Sequence, residues 1–261
     1  MDLNLEGKRA IVCGSTQGIG KASAIELALL GASVTLIARN ESKLQSVIQE
    51  LPTSPKQRHN FLVADFEKPD GLKGVVEEFS ERNVIQILVN NTGGPPAGLA
   101  IDASIEDYLK AFKSHLICNQ ILVQAVVGGM KDQKYGRIIN IISTSVKTPI
   151  TGLGVSNTIR GAVANWSKTL SVELAPFGIT VNNVLPGATM TQRLQSVLQQ
   201  KAESTGSSFE ELKNEMIAEI PAGRISEPNE VAAAVAFLAS PAAGYINGIN
   251  VPVDGGRTKS L

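Results

Sequence analysis

Short apolar runs rich in β-branched residues alternate along this chain with longer segments of helical period. Continuous apolar runs are typical of strands that helices cover on both faces, so the pattern predicts a parallel sheet between helical layers. The runs predict strands at 9–13, 33–38, 61–64, 87–90, 137–142, 180–184 and 250–253. The helical periodicity predicts helices near 19–30, 41–50, 70–81, 104–131, 155–175 and 228–239. Because no repeat or low-complexity linker interrupts this alternation, we predict one doubly wound α/β domain over residues 1–261.

The segment 188–220 is the longest stretch that the predicted sheet does not need. It contains two short helical patterns, near 194–198 and 209–220. Ligands of doubly wound sheets bind beyond the carboxyl ends of the strands, where an insertion after the sixth strand would lie. Long segments of this kind are often functional, so we predict a helical lid that closes on a substrate. The alternative is that its apolar face simply packs on the body of the domain.

The composition narrows the class of protein. Hydrophobic residues make up 43% of the 261 positions, and 24 basic side chains balance 24 acidic ones. This balance gives no field that would favour nucleic acid or an anionic membrane surface. Cys13 and Cys118 have neither metal-ligand nor disulfide spacing, which favours a reducing compartment and no metal site. With no apolar run of about 18 residues and no signal-peptide pattern, we expect a soluble cytoplasmic protein without a membrane partner.

A glycine-rich turn follows the first predicted strand and opens the first predicted helix. Its residues are Gly14, Ser15, Thr16, Gln17, Gly18, Ile19 and Gly20. Glycine lets the backbone approach a pyrophosphate, and the helix N-terminus presents free N–H groups to it. The spacing is G-x3-G-x-G rather than G-x-G-x-x-G, but a second strand follows about 20 residues on, as in dinucleotide-binding units. The turn therefore predicts a Rossmann-type nucleotide site.

The residue after the second predicted strand indicates which nucleotide binds. An acidic residue there would bind both hydroxyls of the adenine ribose and favour NAD. Here it is Arg39, whose planar guanidinium suits a 2′-phosphate instead. We therefore predict NADP(H) as the cofactor; the alternative is that Arg39 is an ordinary solvated charge.

Several motifs in a fixed order carry a family resemblance. They lie at 14–20, 88–93 (LVNNTG), 136–143 (GRIINIIS), 186–187 (PG), 221–224 (PAGR) and 253–256 (VDGG). Together they resemble the short-chain dehydrogenase/reductase family, and the last two resemble its 3-oxoacyl-[acyl-carrier-protein] reductase branch. The resemblance implies seven parallel strands in the order 3-2-1-4-5-6-7 and assembly as a homotetramer or dimer.

The resemblance also implies contacts with the cofactor. Asp65 and Phe66, after the third strand, would flank the adenine, and Asn91 would brace the central strand and face the adenine ribose. The remaining contacts would come from Thr92, Gly93, Pro186, Gly187 and Thr189. Turns favour Asn, Asp, Pro and Gly in any protein, so a purely structural role is the alternative for each residue.

Four catalytic positions follow from the same resemblance. The family uses a serine, a tyrosine, a lysine four residues after the tyrosine, and an asparagine on the preceding helix. Here the serine is Ser143, while Ser156, Arg160 and His115 stand at the tyrosine, lysine and asparagine positions. The resemblance therefore implies a non-standard active site.

The missing tyrosine changes the proton chemistry. Reduction of a ketone leaves an alkoxide, which needs a proton donor and nearby hydrogen bonds. A serine hydroxyl is a far weaker acid than tyrosine, and arginine keeps its proton. We expect Ser143 and Ser156 to bind the carbonyl oxygen and Arg160 to hold the nicotinamide ribose and polarise the site. The proton would come from water or His115, which titrates near neutrality unless it is a hydrogen-bonded core histidine.

The predicted function is NADP(H)-dependent reduction of a small-molecule ketone, including 3-oxoacyl-like compounds, to a secondary alcohol. Two alternatives remain open. One is an NADP(H)-binding protein with little or no turnover, acting as a sensor or an oligomer subunit. The other is an enzyme for an unusual substrate that needs no separate acid.

Overall fold

A computed structural model describes residues 1–260, and in them seven strands form one parallel sheet. The strands are β1 (Arg9–Cys13), β2 (Ser33–Ala38), β3 (Asn60–Val63), β4 (Ile87–Asn90), β5 (Gly136–Ile141), β6 (Ile179–Pro186) and β7 (Asn250–Val253). Their spatial order is β3-β2-β1-β4-β5-β6-β7. The predicted doubly wound α/β fold and its strand order are confirmed.

Helices cover both faces of this sheet. They are α1 (Gly18–Leu29), α2 (Glu41–Glu50), α3 (Pro69–Arg82), α4 (Ile105–Phe112), α5 (Cys118–Gln133), α6 (Gly154–Leu174), α7 (Gln192–Thr205), α8 (Phe209–Ala218) and α9 (Pro228–Ala239). Along β1, Ala10 and Val12 pack with α1, α2 and α9, whereas Ile11 and Cys13 pack with α3 and α5. Both faces of the central strand are buried, which explains its continuous apolar run.

A row of asparagine side chains crosses the sheet from β4 to β7. The Nδ2 atom of Asn90 donates to Oδ1 of Asn140 at 2.8 Å, and Nδ2 of Asn140 donates to Oδ1 of Asn183 at 3.0 Å. Asn183 continues the row by donating to Asn250 at 2.8 Å. These residues are register partners on neighbouring strands. The row fixes the register of β4 to β7 relative to one another, because a shift by one residue would leave buried amides unpaired.

The structure corrects the predicted helix at 104–131. A π turn over Lys113–Ile117 separates α4 from α5. Such a turn inserts one extra residue into the helical ladder without interrupting the apolar pattern, so periodicity could not reveal it. The bounds of β3, β5 and β6 also differ from the predicted strands by one or two residues, as is usual at element ends.

The segment 188–220 is helical, as predicted, and contains α7 and α8. The two helices pack on each other through Leu198, Ala202 and Leu212. None of the helices in residues 1–260 is long and apolar enough to cross a membrane. Whether this segment closes on a ligand stays a prediction.

Candidate active site

The turn after β1 brings separate backbone segments into close contact. A Cβ atom on Gly20 would lie 2.2 Å from the carbonyl oxygen of Gly14, so only glycine fits there. The side chain of Asn91, which follows β4, donates to the carbonyl oxygens of Cys13 at 3.2 Å and Gly14 at 3.3 Å. These contacts fasten the turn to the end of β4. The first N–H groups of α1, which have no partner within the helix, are left to bind an anion such as a pyrophosphate.

The other residues of the turn divide between the surface of a cavity and the protein interior. Thr16 and Gln17 line the cavity together with Gly14. Ser15 is buried, and its hydroxyl donates to a backbone carbonyl of β2 at 3.4 Å. Ile19 packs against the hydrophobic core. A contact of Ser15 or Ile19 with a phosphate would therefore use the backbone N–H.

The cavity measures about 500 Å³ and lies beyond the carboxyl ends of β1 to β4. Its wall contains nine of the predicted site residues. They are Gly14, Thr16, Gln17, Arg39, Asp65, Phe66, Thr92, Gly93 and His115. The position is where doubly wound sheets bind nucleotides. The close-packed glycine turn at one end fits a dinucleotide.

Arg39 lies at the outer end of this wall. It is exposed and forms no hydrogen bond or ion pair with another residue in 1–260. Nearby, the Asp65 carboxylate accepts a hydrogen bond from the N–H of Glu67 at 3.0 Å. Phe66 is buried, and its carbonyl oxygen accepts a hydrogen bond from the thiol of Cys118. The outer end of the cavity thus offers an unpaired guanidinium beside a flat apolar surface.

Three predicted cofactor contacts after β6 lie outside the cavity wall. The N–H of Gly187 donates to the Val253 carbonyl oxygen at 2.9 Å, and a Cβ atom on Gly187 would lie 2.7 Å from Cα of Asp254. Thr189 is buried and bonded to the Ser226 hydroxyl at 3.0 Å. Together with Pro186, which ends β6, they hold the base of α7. Their role toward a cofactor stays a prediction.

The predicted catalytic residues Ser143, Ser156 and Arg160 lie at the end of β5 and on α6, outside the cavity wall. Ser143 follows this strand by two residues, and Arg160 donates from Nη1 to the carbonyl oxygen of Ile141 at 2.9 Å. Ser156 lies one turn before Arg160 on α6 and shares its helix face. Arg160 is buried. Burial first, and the nearby charge of Arg193 second, lower the pKa of Arg160 to about 10, so its guanidinium remains charged at neutral pH.

His115 enters the same site from the π turn. The turn rotates it inward, so that the side chain is only 2% exposed. Its ring bonds to the carbonyl oxygen of Gly93, and within residues 1–260 its Nε2 atom has no hydrogen-bond partner. Burial first, and then the charge of Arg160, lower the pKa of His115 well below its usual value. The imidazole is therefore neutral at pH 7.

Residues 1–260 contain no cluster of metal-ligating side chains, and both of their cysteines are buried. No group of three or more His, Cys, Asp or Glu side chains in this range could hold a metal ion. Cys13 and Cys118 are both buried. Burial raises the pKa of Cys118 to about 12 and raises that of Cys13 as well, so both remain protonated thiols.

Several contacts at the cavity mouth were not predicted from the sequence. A Cβ atom on Gly18 would lie 3.2 Å from the Thr191 methyl group. Arg193 on α7 donates from Nη2 to the carbonyl oxygen of Pro95 at 2.6 Å. The only signal for these residues was their place in the predicted lid, because nothing in a one-dimensional pattern shows which loop a lid touches.

The whole chain is similar in sequence to a known protein family and to individual reductases. A family model described as enoyl-(acyl carrier protein) reductase matches residues 14–258. The NADPH-dependent reductase BacG of Bacillus subtilis is 30% identical over 256 residues, which cover 97% of this chain and 99% of that protein. The 3-oxoacyl-[acyl-carrier-protein] reductase FabG of Vibrio cholerae is 33% identical over 255 residues, which cover 97% and 98%.

A solved structure shows the same architecture. The L-sorbose reductase of Gluconobacter frateurii, complexed with NADPH and L-sorbose, superposes with a TM-score of 0.93. It is 29% identical in sequence, and the match covers 100% of both chains. The similarity therefore extends over the whole sheet and the cavity at its edge.

The close approach at Gly20 generates a first prediction. Gly20→Ala should weaken NADPH binding on the order of 10- to 100-fold, because the turn must move away from Gly14 to admit a methyl group. The measurement is NADPH fluorescence titration, with circular dichroism to establish that the variant is folded.

The matched control is Gly74→Ala in α3, where a Cβ atom would meet no other atom within 4 Å. It should leave NADPH affinity unchanged. Equal affinity of the parent, Gly20→Ala and Gly74→Ala proteins would show that the turn is not the phosphate site.

Proposed function

The chain is a member of the short-chain dehydrogenase/reductase family, and we propose that it is an NADPH-dependent reductase that converts a ketone into a secondary alcohol. The observation that carries this proposal is a single cavity whose wall contains both the phosphate turn at Gly14 and the buried His115 beside Arg160. A nucleotide along this wall would end next to groups that can polarise a carbonyl. When bound, NADPH supplies the hydride that reduces the carbonyl carbon.

Arg39 supports NADPH rather than NADH as the cofactor. Its guanidinium is on the cavity wall and has no carboxylate partner in residues 1–260. A planar guanidinium binds a phosphate through two parallel hydrogen bonds. The relatives BacG and L-sorbose reductase, described as NADPH-dependent and NADPH-bound, support the same choice.

Ser143, Ser156 and Arg160 would act on the substrate carbonyl. The two serine hydroxyls would hold the carbonyl oxygen by hydrogen bonds. Arg160 keeps its charge at neutral pH and would stabilise the negative charge that develops on that oxygen. Its guanidinium carries five N–H donors, so it can hold the nicotinamide ribose as well as the backbone of Ile141.

The proton would come from water rather than directly from His115. The neutral imidazole donates to the Gly93 carbonyl, which leaves Nε2 as an acceptor. An acceptor cannot supply a proton, but it can orient a water molecule that does. His115 is then a positioning residue. Water would donate the proton, which is the role of tyrosine in other members of the family.

Helices α7 and α8 would serve as a lid over this site. The contact of Thr191 with Gly18 and the hydrogen bond from Arg193 to Pro95 join the start of α7 to two sides of the cavity mouth. Opening would break these two contacts and would disturb the small cluster in which Leu194 and Met216 pack against Ile225. A substrate could therefore enter without disturbing the sheet.

A dimer or tetramer fits the exposed surface. Ile101, Ile105 and Leu109 are 89%, 69% and 52% exposed on α4 and the loop before it. Neighbouring apolar side chains of this kind are typical of a protein–protein interface. A second copy of the chain is the partner that we propose for them, in the cytoplasm.

One alternative function follows from the motif spacing. The resemblance puts Ser156 where the family has its acid, and a protein without that acid would bind NADPH and turn over little or nothing. In that case it would act as a sensor or as a subunit of an oligomer. Both functions require the same cofactor site, and only the chemistry at Ser156 and Arg160 separates them.

The cofactor choice is tested at Arg39. The parent protein should bind NADPH more tightly than NADH, and Arg39→Asp should weaken NADPH binding on the order of 10- to 100-fold while sparing NADH. Arg82→Asp reverses an exposed charge on α3, away from the cavity, and should change neither affinity. Equal affinity of the parent for both nucleotides would remove Arg39 from the cofactor site.

The missing acid generates a gain-of-function prediction. The double change Ser156→Tyr with Arg160→Lys should raise reduction of ethyl acetoacetate, because a tyrosine beside a lysine restores a general acid. Such an acid contributes about 10²–10⁴-fold. The matched control replaces Ser156 by Phe in the same Arg160→Lys background, which adds the ring without its hydroxyl and should give no increase.

A crystal structure of the double variant with NADPH accompanies this assay. If the tyrosine hydroxyl reaches the nicotinamide and no ketone is reduced, the reductase proposal is wrong and the binding protein remains. If the ring cannot enter the site, the Phe and Tyr variants will show the same displaced ring.

A further inference from the structure

Two arginines from different elements lie close to the cavity without being part of its wall. Arg160 is buried on α6 and is held by the Ile141 carbonyl oxygen at 2.9 Å. Arg193 belongs to α7 and is held by the Pro95 carbonyl oxygen at 2.6 Å. After burial, the charge of Arg193 is the main influence that lowers the pKa of Arg160. Arg193 is itself exposed, so Arg160 is the buried charge of the two.

The loop that follows β4 contacts His115 as well as Arg193. The His115 ring bonds to the carbonyl oxygen of Gly93, two residues before Pro95. Nη2 of Arg193 lies 3.9 Å from where a Cβ atom of Gly94 would be. Three consecutive residues of this loop thus hold His115 and Arg193. The Nε2 atom of His115 is buried there and has no partner within residues 1–260.

These two positive charges have no acidic partner among the described residues. Neither Arg160 nor Arg193 forms an ion pair with any side chain in residues 1–260. Arg224 pairs with Glu230, and Arg257 with Glu219, whereas the buried Arg137 is held by backbone carbonyl oxygens and the Tyr135 ring. Arg160 is buried with one backbone carbonyl as its partner, and a buried charge without a counter-ion is costly. A ligand of opposite charge would remove that cost.

We propose that the substrate carries a carboxylate that Arg160 and Arg193 bind, so that the protein reduces a small oxo acid to the hydroxy acid. Guanidinium groups match the geometry of a carboxylate through paired hydrogen bonds. This inference rests on the proposed reductase function and names its substrate class.

The placement of Ser143 limits the length of this substrate. Ser143 follows Ile141 by two residues, and Ile141 provides the carbonyl oxygen that holds Arg160. A carbonyl bound at Ser143 and a carboxylate bound at Arg160 would both lie at the end of β5, so we expect a 2-oxo or 3-oxo acid. A thioester or ester would leave both arginines without a counter-ion.

The experiment compares free acids with their methyl esters. Acetoacetate and benzoylformate, and the methyl ester of each, are assayed as substrates with NADPH. The parent protein should prefer each acid in kcat/KM on the order of 10- to 100-fold, the usual worth of a charge-assisted hydrogen bond in a shielded site. Arg193→Gln should remove most of that preference, and Arg193→Lys should keep part of it.

Two further measurements make the result independent of turnover. Calorimetry measures binding of benzoylformate to the NADP⁺-loaded protein, and fluorescence measures the Kd of NADPH. The matched control is Lys201→Gln, which removes one positive charge from the exposed part of the same helix α7 and should change none of these quantities. Arg193→Gln should weaken benzoylformate binding and leave the Kd of NADPH unchanged.

The outcomes separate the two proposals. Binding of the acid that depends on Arg193, with no acid reduced, supports the carboxylate site and contradicts the reductase function. Reduction of esters and acids at equal kcat/KM contradicts the carboxylate site and supports the reductase function. Weaker NADPH binding in Arg193→Gln, with the acid preference unchanged, would assign Arg193 to the cofactor phosphates and overturn the inference.

Discussion

The contact between the turn after β1 and the end of β4 is the constraint on which the cavity depends. A Cβ atom on Gly20 would lie 2.2 Å from the Gly14 carbonyl oxygen, so the turn is as tight as the backbone allows. The Asn91 amide then joins this turn to the central strands. Any larger residue at Gly20 would move the N-terminus of α1 away from the sheet. The anion-binding N–H groups and the loop after β4 share one wall only because these glycines are present.

The loop that follows Asn91 connects the glycine turn with His115 and Arg193. Its Gly93 carbonyl receives His115, and its Pro95 carbonyl receives Arg193. The π turn supplies the rotation that brings His115 inward, and π turns often occur at functional sites. The proposed nucleotide site and the positions of His115 and Arg193 thus depend on one loop. In the proposed function, a substrate would supply the opposite charge that the buried Arg160 lacks.

The fold could be predicted from the sequence because parallel strands and their covering helices each leave a periodic signal. The apolar runs located every strand, and the alternation along β1 follows directly from burial on both faces. The glycine turn was predictable for a local reason, since close backbone approach requires its glycines; its role in phosphate binding stays a prediction. The π turn at His115 was not, because one added residue leaves the apolar pattern of 104–131 unchanged. Nor were the asparagine row and the contact from Arg193 to Pro95, which join residues that are distant in sequence.

Isotope transfer tests directly whether this cavity is a reductase site. The protein is incubated with NADPH carrying deuterium at the reactive carbon of the nicotinamide and with a panel of ketones, 3-oxo esters and oxo acids, and the products are analysed by mass spectrometry. A reductase transfers one deuterium to the carbon of the new alcohol in at least one member of the panel. If the protein binds NADPH in a one-to-one complex and no labelled alcohol forms from any compound, the site is one for binding alone.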